Sequence, residues 1–163
     1  MVKPFLRFAG ILPALLVSGI AGAVGCQDEP AGPAVPLTQL EQDIQQIQAY
    51  LDDNQLSAES TPSGLHYIIE TPGMGGHPTV EDEVTVYYKG YYLDLEVFDE
   101  TDGSPVTFPL GNVIAGWQEG VPLLQKGGKG VLLLPSSLAY GDAPPDGVRS
   151  NAVMVFDVEL VDF

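Results

Sequence analysis

Nine aromatic side chains stand near turn-forming residues in the second half of this chain: Tyr87, Tyr88, Tyr91, Tyr92, Phe98, Phe108, Trp117, Tyr140 and Phe156. Rings of this size usually build a core, and only their arrangement on the elements can turn them to another use. The usual parts of a bond-making catalyst are missing. His66 and His77 are the only histidines, Cys26 is the only cysteine, and no serine sits in a Gly-x-Ser-x-Gly elbow. A zinc site or a nucleophilic triad therefore has no residues to be made from. Gly73-Met74-Gly75-Gly76 is not followed by Lys-Ser/Thr, so a phosphate loop is not indicated. The acids mostly alternate with apolar residues or sit in turns, the pattern of a solvated face. No metal and no cofactor is expected.

The acids are numerous all the same. The formal net charge is −16, and two of the six basic residues, Lys3 and Arg7, lie at the very start. Such a surface repels phosphate backbones, which are bound through Lys and Arg, and excludes nucleic acid as a partner. After those two bases comes an apolar run from Phe8 to Val24, broken by Pro13, Ser18 and glycines. It is too short and Gly-rich for a membrane span of about 20 apolar residues and reads as a signal peptide over residues 1–25. The lone Cys26 has no partner for an internal disulfide in an exported protein. Ala23-Val24-Gly25-Cys26 resembles a bacterial lipobox, with Ala23 where leucine is usual, and Cys26 is the expected lipidation site; a plain signal peptide cleaved nearby would instead leave a free thiol. The chain is therefore expected in the bacterial cell envelope, as a membrane-anchored lipoprotein facing the periplasm or the exterior.

The elements that must position the aromatics follow a Pro-rich tether over residues 26–36. Leu37, Leu40, Ile44, Ile47 and Leu51 recur every three or four residues, one stripe of an amphipathic helix over 37–59. Thr38 with Glu41 offers a capping box at its start. The stripe suits either the domain behind it or a second copy of itself. Strand patterns then run over 65–69, 83–93, 97–98, 106–108, 129–134 and 152–161. In the last, Met154, Phe156, Val158 and Leu160 share one face, so that strand is expected to be half-buried. One short helix interrupts the strands near 113–123, and Gly116 and Gly120 mean that packing must hold it. The fold class is α+β: an antiparallel sheet wrapped around one short helix, preceded by the N-terminal amphipathic helix.

Six segments in order resemble the FKBP family across 62–163. Val84 to Tyr91 resembles its strand ending in Tyr-x-Gly, Val97-Phe98-Asp99 its Phe-Asp element, and Pro105 to Gly111 its Pro-x-x-Phe-x-Leu-Gly. Val113-Ile114-Ala115-Gly116-Trp117-Gln118-Glu119-Gly120 is similar to Val-Ile-x-Gly-Trp-x-Glu-Gly, and Leu138 to Gly141 and Val155 to Leu160 complete the set.

The resemblance implies a peptidyl-prolyl cis-trans isomerase acting on proline-containing polypeptides, without a covalent intermediate or metal, and with macrolide inhibitors as candidate ligands. It implies Tyr140, Asp99, Phe98 and Trp117 as catalytic positions, with Trp117 the pocket floor. It further implies Tyr88, Val106, Val113, Ile114, Val148 and Phe156 as substrate-binding positions. Val106 and Val148 at the rim suit an apolar residue before the proline. Three departures touch the rim rather than the floor. The Glu100 to Ser104 loop is short and lacks the arginine that often pairs with the aspartate, Val106 replaces a phenylalanine, and Val148-Arg149-Ser150 replaces Ile-Pro-Pro. They bear on substrate preference and macrolide affinity, and they leave open a binding module or chaperone without turnover. Dimers like those of the macrophage-infectivity-potentiator relatives need a region much longer than residues 37–56 and are not expected.

Overall fold

The structure, a computed structural model, describes residues 36–163. The expected signal peptide, Cys26 and nearly all of the expected tether lie outside the described residues. Among the described residues no helix is long and apolar enough to cross a membrane.

The first element is helix α1, Gln39–Asp53. Its start is fixed by the capping box: the Thr38 hydroxyl accepts from the Glu41 N–H, and the Glu41 carboxylate accepts from the Thr38 N–H at 2.7 Å. The helix is shorter than the 37–59 expected. Asn54 caps it by bonding back to the Tyr50 carbonyl, and Gln55 turns left-handed with φ 56°.

The remaining chain forms seven strands: β1 Glu59–Ser60, β2 His66–Thr71, β3 Glu83–Tyr92, β4 Val97–Glu100, β5 Val106–Pro109, β6 Lys129–Leu134 and β7 Met154–Asp162. All pairings are antiparallel, in the order β1-β2-β6-β7-β3-β4. β5 shares an edge of β3 with β4, taking Glu83 to Val86 while β4 takes Lys89 to Tyr91. The single sheet is wrapped on one short helix, α2 Ala115–Gly120, as the strand and helix patterns predict.

Helix α2 holds its place through close approach rather than propensity. A methyl group added at Gly116 would collide with the Leu134 side chain, and one at Gly120 would lie 2.7 Å from Leu132 Cδ1. Glycine lets α2 sit directly on β6, and its cost in helix propensity is offset by burial of Trp117 and Val121. Val84, Val86, Leu110, Leu124, Leu132, Leu134 and Leu160 complete this core with no exposed surface.

A second core lies on the other face of the sheet. There Ile47 and Leu51 of α1 meet Leu133, Val153 and Val155. Of the two placements open to the helix stripe, the chain uses packing on its own domain. This also changes the reading of β7: Val155 is buried on the face opposite Met154 and Phe156, because α1 covers that stretch. Leu37, in contrast, precedes the helix and is 43% exposed. Its place on the buried stripe is taken by Asp43, which has no exposed surface.

Candidate active site

The concave face of the sheet and the N-terminal end of α2 enclose a cavity of about 640 Å³. Its lining is Tyr88, Phe98, Asp99, Phe108, Asn112, Val113, Ile114, Trp117, Tyr140 and Phe156. The sheet explains how residues so far apart in sequence meet. Tyr88 and Phe156 face inward from the neighbouring strands β3 and β7, and Phe98 and Phe108 come from the two strands on the other edge of β3. Trp117 rises from α2 as the floor.

The rings are held in mutually edge-on contact. Tyr88 and Phe156 each meet Trp117 with centroids 5.3 Å apart, at interplanar angles of 89° and 90°. Phe98 meets Phe156 edge-on at 5.5 Å, and Phe108 tilts over Trp117 at 5.7 Å. Each such pair contributes about 0.5–1.5 kcal/mol beyond its buried area, so the cavity walls are stiff before anything binds.

Polar groups are few and specific. The Tyr88 hydroxyl donates to Asp99 Oδ2 at 2.6 Å, giving the aspartate a neutral partner where no arginine is supplied. Val113 and Ile114 enter α2 in extended conformation, which leaves the Ile114 N–H outside the helical ladder and without an acceptor among the described residues. Tyr140 follows the 3-10 turn Ser136–Leu138 and is 40% exposed at the mouth. No histidine, cysteine or lysine lines the cavity.

Burial, then the hydrogen bond from Tyr88 to Asp99, and then the nearby charge push the Tyr88 hydroxyl above its ordinary pKa of 10.0. A raised pKa means that the fold favours the neutral hydroxyl. This contribution is complete below about pH 10 and is lost as pH climbs past it. The Tyr88 contribution to the melting temperature should therefore be level from about pH 6 to 9, with loss only on the alkaline side. Thermal melts of the protein and of Tyr88→Phe across that range check this, and a difference between the two that changes near neutrality would contradict it.

Two expected substrate-binding residues do not reach the cavity. Val106 opens β5 opposite Val86, is 39% exposed and is not part of the cavity lining. Val148 packs on the core from the loop that follows Tyr140 and does not line the cavity. Phe108, two residues after Val106 on the same side of β5, lines it instead. Asn112 also lines it, unforeseen, because it sits in the turn that delivers Val113.

The rim departure at Arg149 has a structural use. Its guanidinium lies 4.2 Å over the Tyr92 ring and bonds Asp94 and Glu96, each at 2.7 Å, while its N–H donates to the Tyr92 hydroxyl. These bonds tie the loop after Tyr140 to the β3–β4 hairpin. In a proline-rich loop neither the charge nor that N–H would be available.

Glu119, in the segment that carries Trp117, faces away from the cavity and accepts from the Ser63 hydroxyl at 2.8 Å. It fixes α2 to the turn before β2.

A model of the FKBP-type peptidyl-prolyl cis-trans isomerase family matches residues 75–161, more than half of the chain. A probable FKBP-type peptidyl-prolyl cis-trans isomerase FkpA of Neisseria meningitidis is 46% identical over 119 residues, covering 70% of this chain and 44% of that protein. FkpA of Escherichia coli K12 is 43% identical over 106 residues, 64% of this chain and 39% of that protein. The chain thus spans about two fifths of the length of these curated relatives. The crystal structure of Escherichia coli FkpA superposes with a TM-score of 0.67 at 36% identity, covering 76% of this chain and 62% of that one. A peptidyl-prolyl cis-trans isomerase from Pseudomonas syringae superposes with a TM-score of 0.65 at 27% identity, covering 80% and 98%.

Proposed function

From the premise that this chain belongs to the FKBP-type peptidyl-prolyl cis-trans isomerase family, we propose that it isomerises Xaa-Pro bonds in exported polypeptides and so assists their folding. The observation that carries this reading is the aromatic cavity, with Trp117 as floor and few polar features, among them Asp99 with its Tyr88 hydroxyl partner, Asn112, the Ile114 N–H and the Tyr140 hydroxyl.

Rotation about a peptide bond must break amide resonance, a barrier of about 18–20 kcal/mol, and prolyl isomerisation without a catalyst takes tens of seconds or longer. No bond to the substrate is needed to lower it. The planar amide carries a large dipole that water solvates well, whereas the twisted amide has lost much of it. An apolar cavity that replaces water therefore disfavours the planar form more than the twisted one. The Ile114 N–H and the Tyr140 hydroxyl hold the carbonyl as it leaves the plane, and the proline ring rests on Trp117. Position and a preformed environment supply the rate.

Apolar Phe108, Val113 and Ile114 suit an apolar residue before the proline. The protein should accelerate cis-to-trans conversion of a Leu-Pro or Phe-Pro tetrapeptide. A rate no better than buffer, from protein shown to be folded, would move the reading to a binding module. Replacement of Tyr140 by phenylalanine should leave the melting temperature nearly unchanged, since the hydroxyl is at the mouth. Loss of one hydrogen bond to the twisted amide, about 1 kcal/mol, should lower kcat/KM about fivefold through kcat. A Tyr140→Phe protein that melts early with undiminished turnover would make this tyrosine structural.

The same proposal places the protein at the membrane of the bacterial envelope through a lipid on Cys26. The leader ends there and the thiol has no other evident use. More than one acyl chain is needed for stable anchoring, and a diacyl or triacyl cysteine would meet that. Mass spectrometry of the membrane fraction should find an acylated cysteine at a new N-terminus. An unmodified Cys26 inside a longer soluble chain would end this part of the proposal.

A further inference from the structure

Helix α1 precedes the residues that the family model matches, yet its one fully buried acid reaches the loop that presents Tyr140. We infer that Asp43 is a positioning residue for Tyr140, acting through its bonds to Ser136. The inference rests on the reading of Tyr140 given above.

The connection consists of four short bonds. Asp43 Oδ2 accepts from the Ser136 N–H at 2.8 Å and from the Ser136 hydroxyl at 2.6 Å. The Ser136 carbonyl in turn accepts from the Ala139 N–H at 3.0 Å and from the Gly141 N–H at 2.9 Å. Those two amides flank Tyr140. Asp43 is thus one residue removed from a clamp on both sides of the tyrosine, although 93 positions separate it from Ser136.

Burial gives this link its strength. Asp43 has no exposed surface and Ser136 has 1%, so neither can exchange its partner for water. A buried backbone N–H without an acceptor is costly, and here the carboxylate is the acceptor. The other carboxylate oxygen accepts from Gln39 Nε2 at 2.7 Å. All three donors are neutral, so the acid is held by hydrogen bonds without an ion pair. The three donors offset the cost of burying the carboxylate and hold it in one orientation against Ser136. Ile47 and Leu51 supply the ordinary packing of the helix on the same face.

The test uses the full chain and the peptide isomerisation assay. Asp43→Ala should lower kcat about threefold, within the fivefold expected from losing the Tyr140 hydroxyl itself, with KM little changed, because a displaced hydroxyl still lets the peptide bind. Asp43→Asn keeps a carbonyl that can accept from Ser136 and should restore much of the rate. In a Tyr140→Phe background, Asp43→Ala should cause no further loss. Ile47→Ala, which loosens the helix without touching Ser136, should lower the melting temperature and leave kcat of the folded protein unchanged. If Asp43→Ala does not fold, Ser136→Ala gives the same comparison at smaller amplitude. An equal loss of kcat from Asp43→Ala with and without the Tyr140 hydroxyl would overturn the inference, as would unchanged kcat in the folded single variant. Undiminished turnover in Tyr140→Phe alone would remove the premise about Tyr140, a failure distinguishable from the other two.

Discussion

Leucine in place of Trp117 should give a folded protein that is less stable by about 2–4 kcal/mol and has lost most of its turnover. The size follows from the contacts. Three rings, Tyr88, Phe108 and Phe156, rest on the indole, two of them edge-on at 5.3 Å. Leucine keeps an apolar side chain but loses all three pairings and leaves part of the floor empty. The neighbours can close that space only partly, because Leu132 and Leu134 already fill the sheet beneath α2. Substrate loses the surface on which the proline ring rests, so KM should rise as kcat falls. Thermal melts and steady-state rates on the purified variant check both halves. Wild-type turnover in Trp117→Leu would show that the floor is packing alone.

Alanine at Gly90 should be nearly as damaging, although it adds a single methyl group. Gly90 lies on β3 between Tyr88 and Tyr92 on the inward face, where two rings cross directly over the strand. An added Cβ would stand 2.7 Å from Phe98 Cε2 and Cζ and 2.9 Å from Phe156 Cε1. Those are ring atoms wedged against each other and against Tyr92, whose centroid is 4.9 Å from that of Phe98. The strand cannot yield without breaking its bonds to β7 and β4. Phe98 must therefore move toward the cavity. The strain should be about 1–3 kcal/mol. A ring displaced by about an ångström should cost turnover tenfold or more. Gly90→Ala with unaltered kcat/KM would mean that Phe98 has room to spare.

Gly90 also shows what could be read from sequence and why. The Tyr-x-Gly pattern marks the glycine, and strand alternation puts it on the face of Tyr88, but the crossing of Phe98 and Phe156 is a matter of three-dimensional register. The strands themselves were legible because alternating burial writes itself into residue types, as in Met154, Phe156, Val158 and Leu160. The capping box was legible because it is purely local. The segment from Val113 to Gly120 was legible because glycines, a tryptophan and an acid must each meet a separate constraint within one turn or two.

The cavity rim was harder to read. Val106 and Val148 were assigned to it by motif position, whereas reach depends on side-chain length and on how far a strand has advanced. Phe108 satisfies both and Val106 neither. Arg149 breaks the family pattern, and its bonds to the β3–β4 hairpin could not be inferred without knowing that the two loops adjoin. Asp43 carries a signal in the sequence itself. It lies three residues after Leu40 and four before Ile47, on the apolar stripe, where a charged residue asks for a buried partner. That partner is 93 positions away, beyond any local pattern.

The distinction between a catalyst and a binder that shares its fold is settled most directly by exchange measurements on an Xaa-Pro peptide at equilibrium. A catalyst present at a few per cent of the peptide concentration accelerates both directions and leaves the cis-to-trans ratio unchanged. Nuclear magnetic resonance exchange spectroscopy on a Leu-Pro peptide reads the rate and the ratio in one experiment. The account predicts exchange that rises in proportion to added protein at a constant ratio, with the effect sharply reduced in the Gly90→Ala and Trp117→Leu variants. A ratio that shifts only as protein approaches the peptide concentration, with exchange no faster than in buffer, would contradict it.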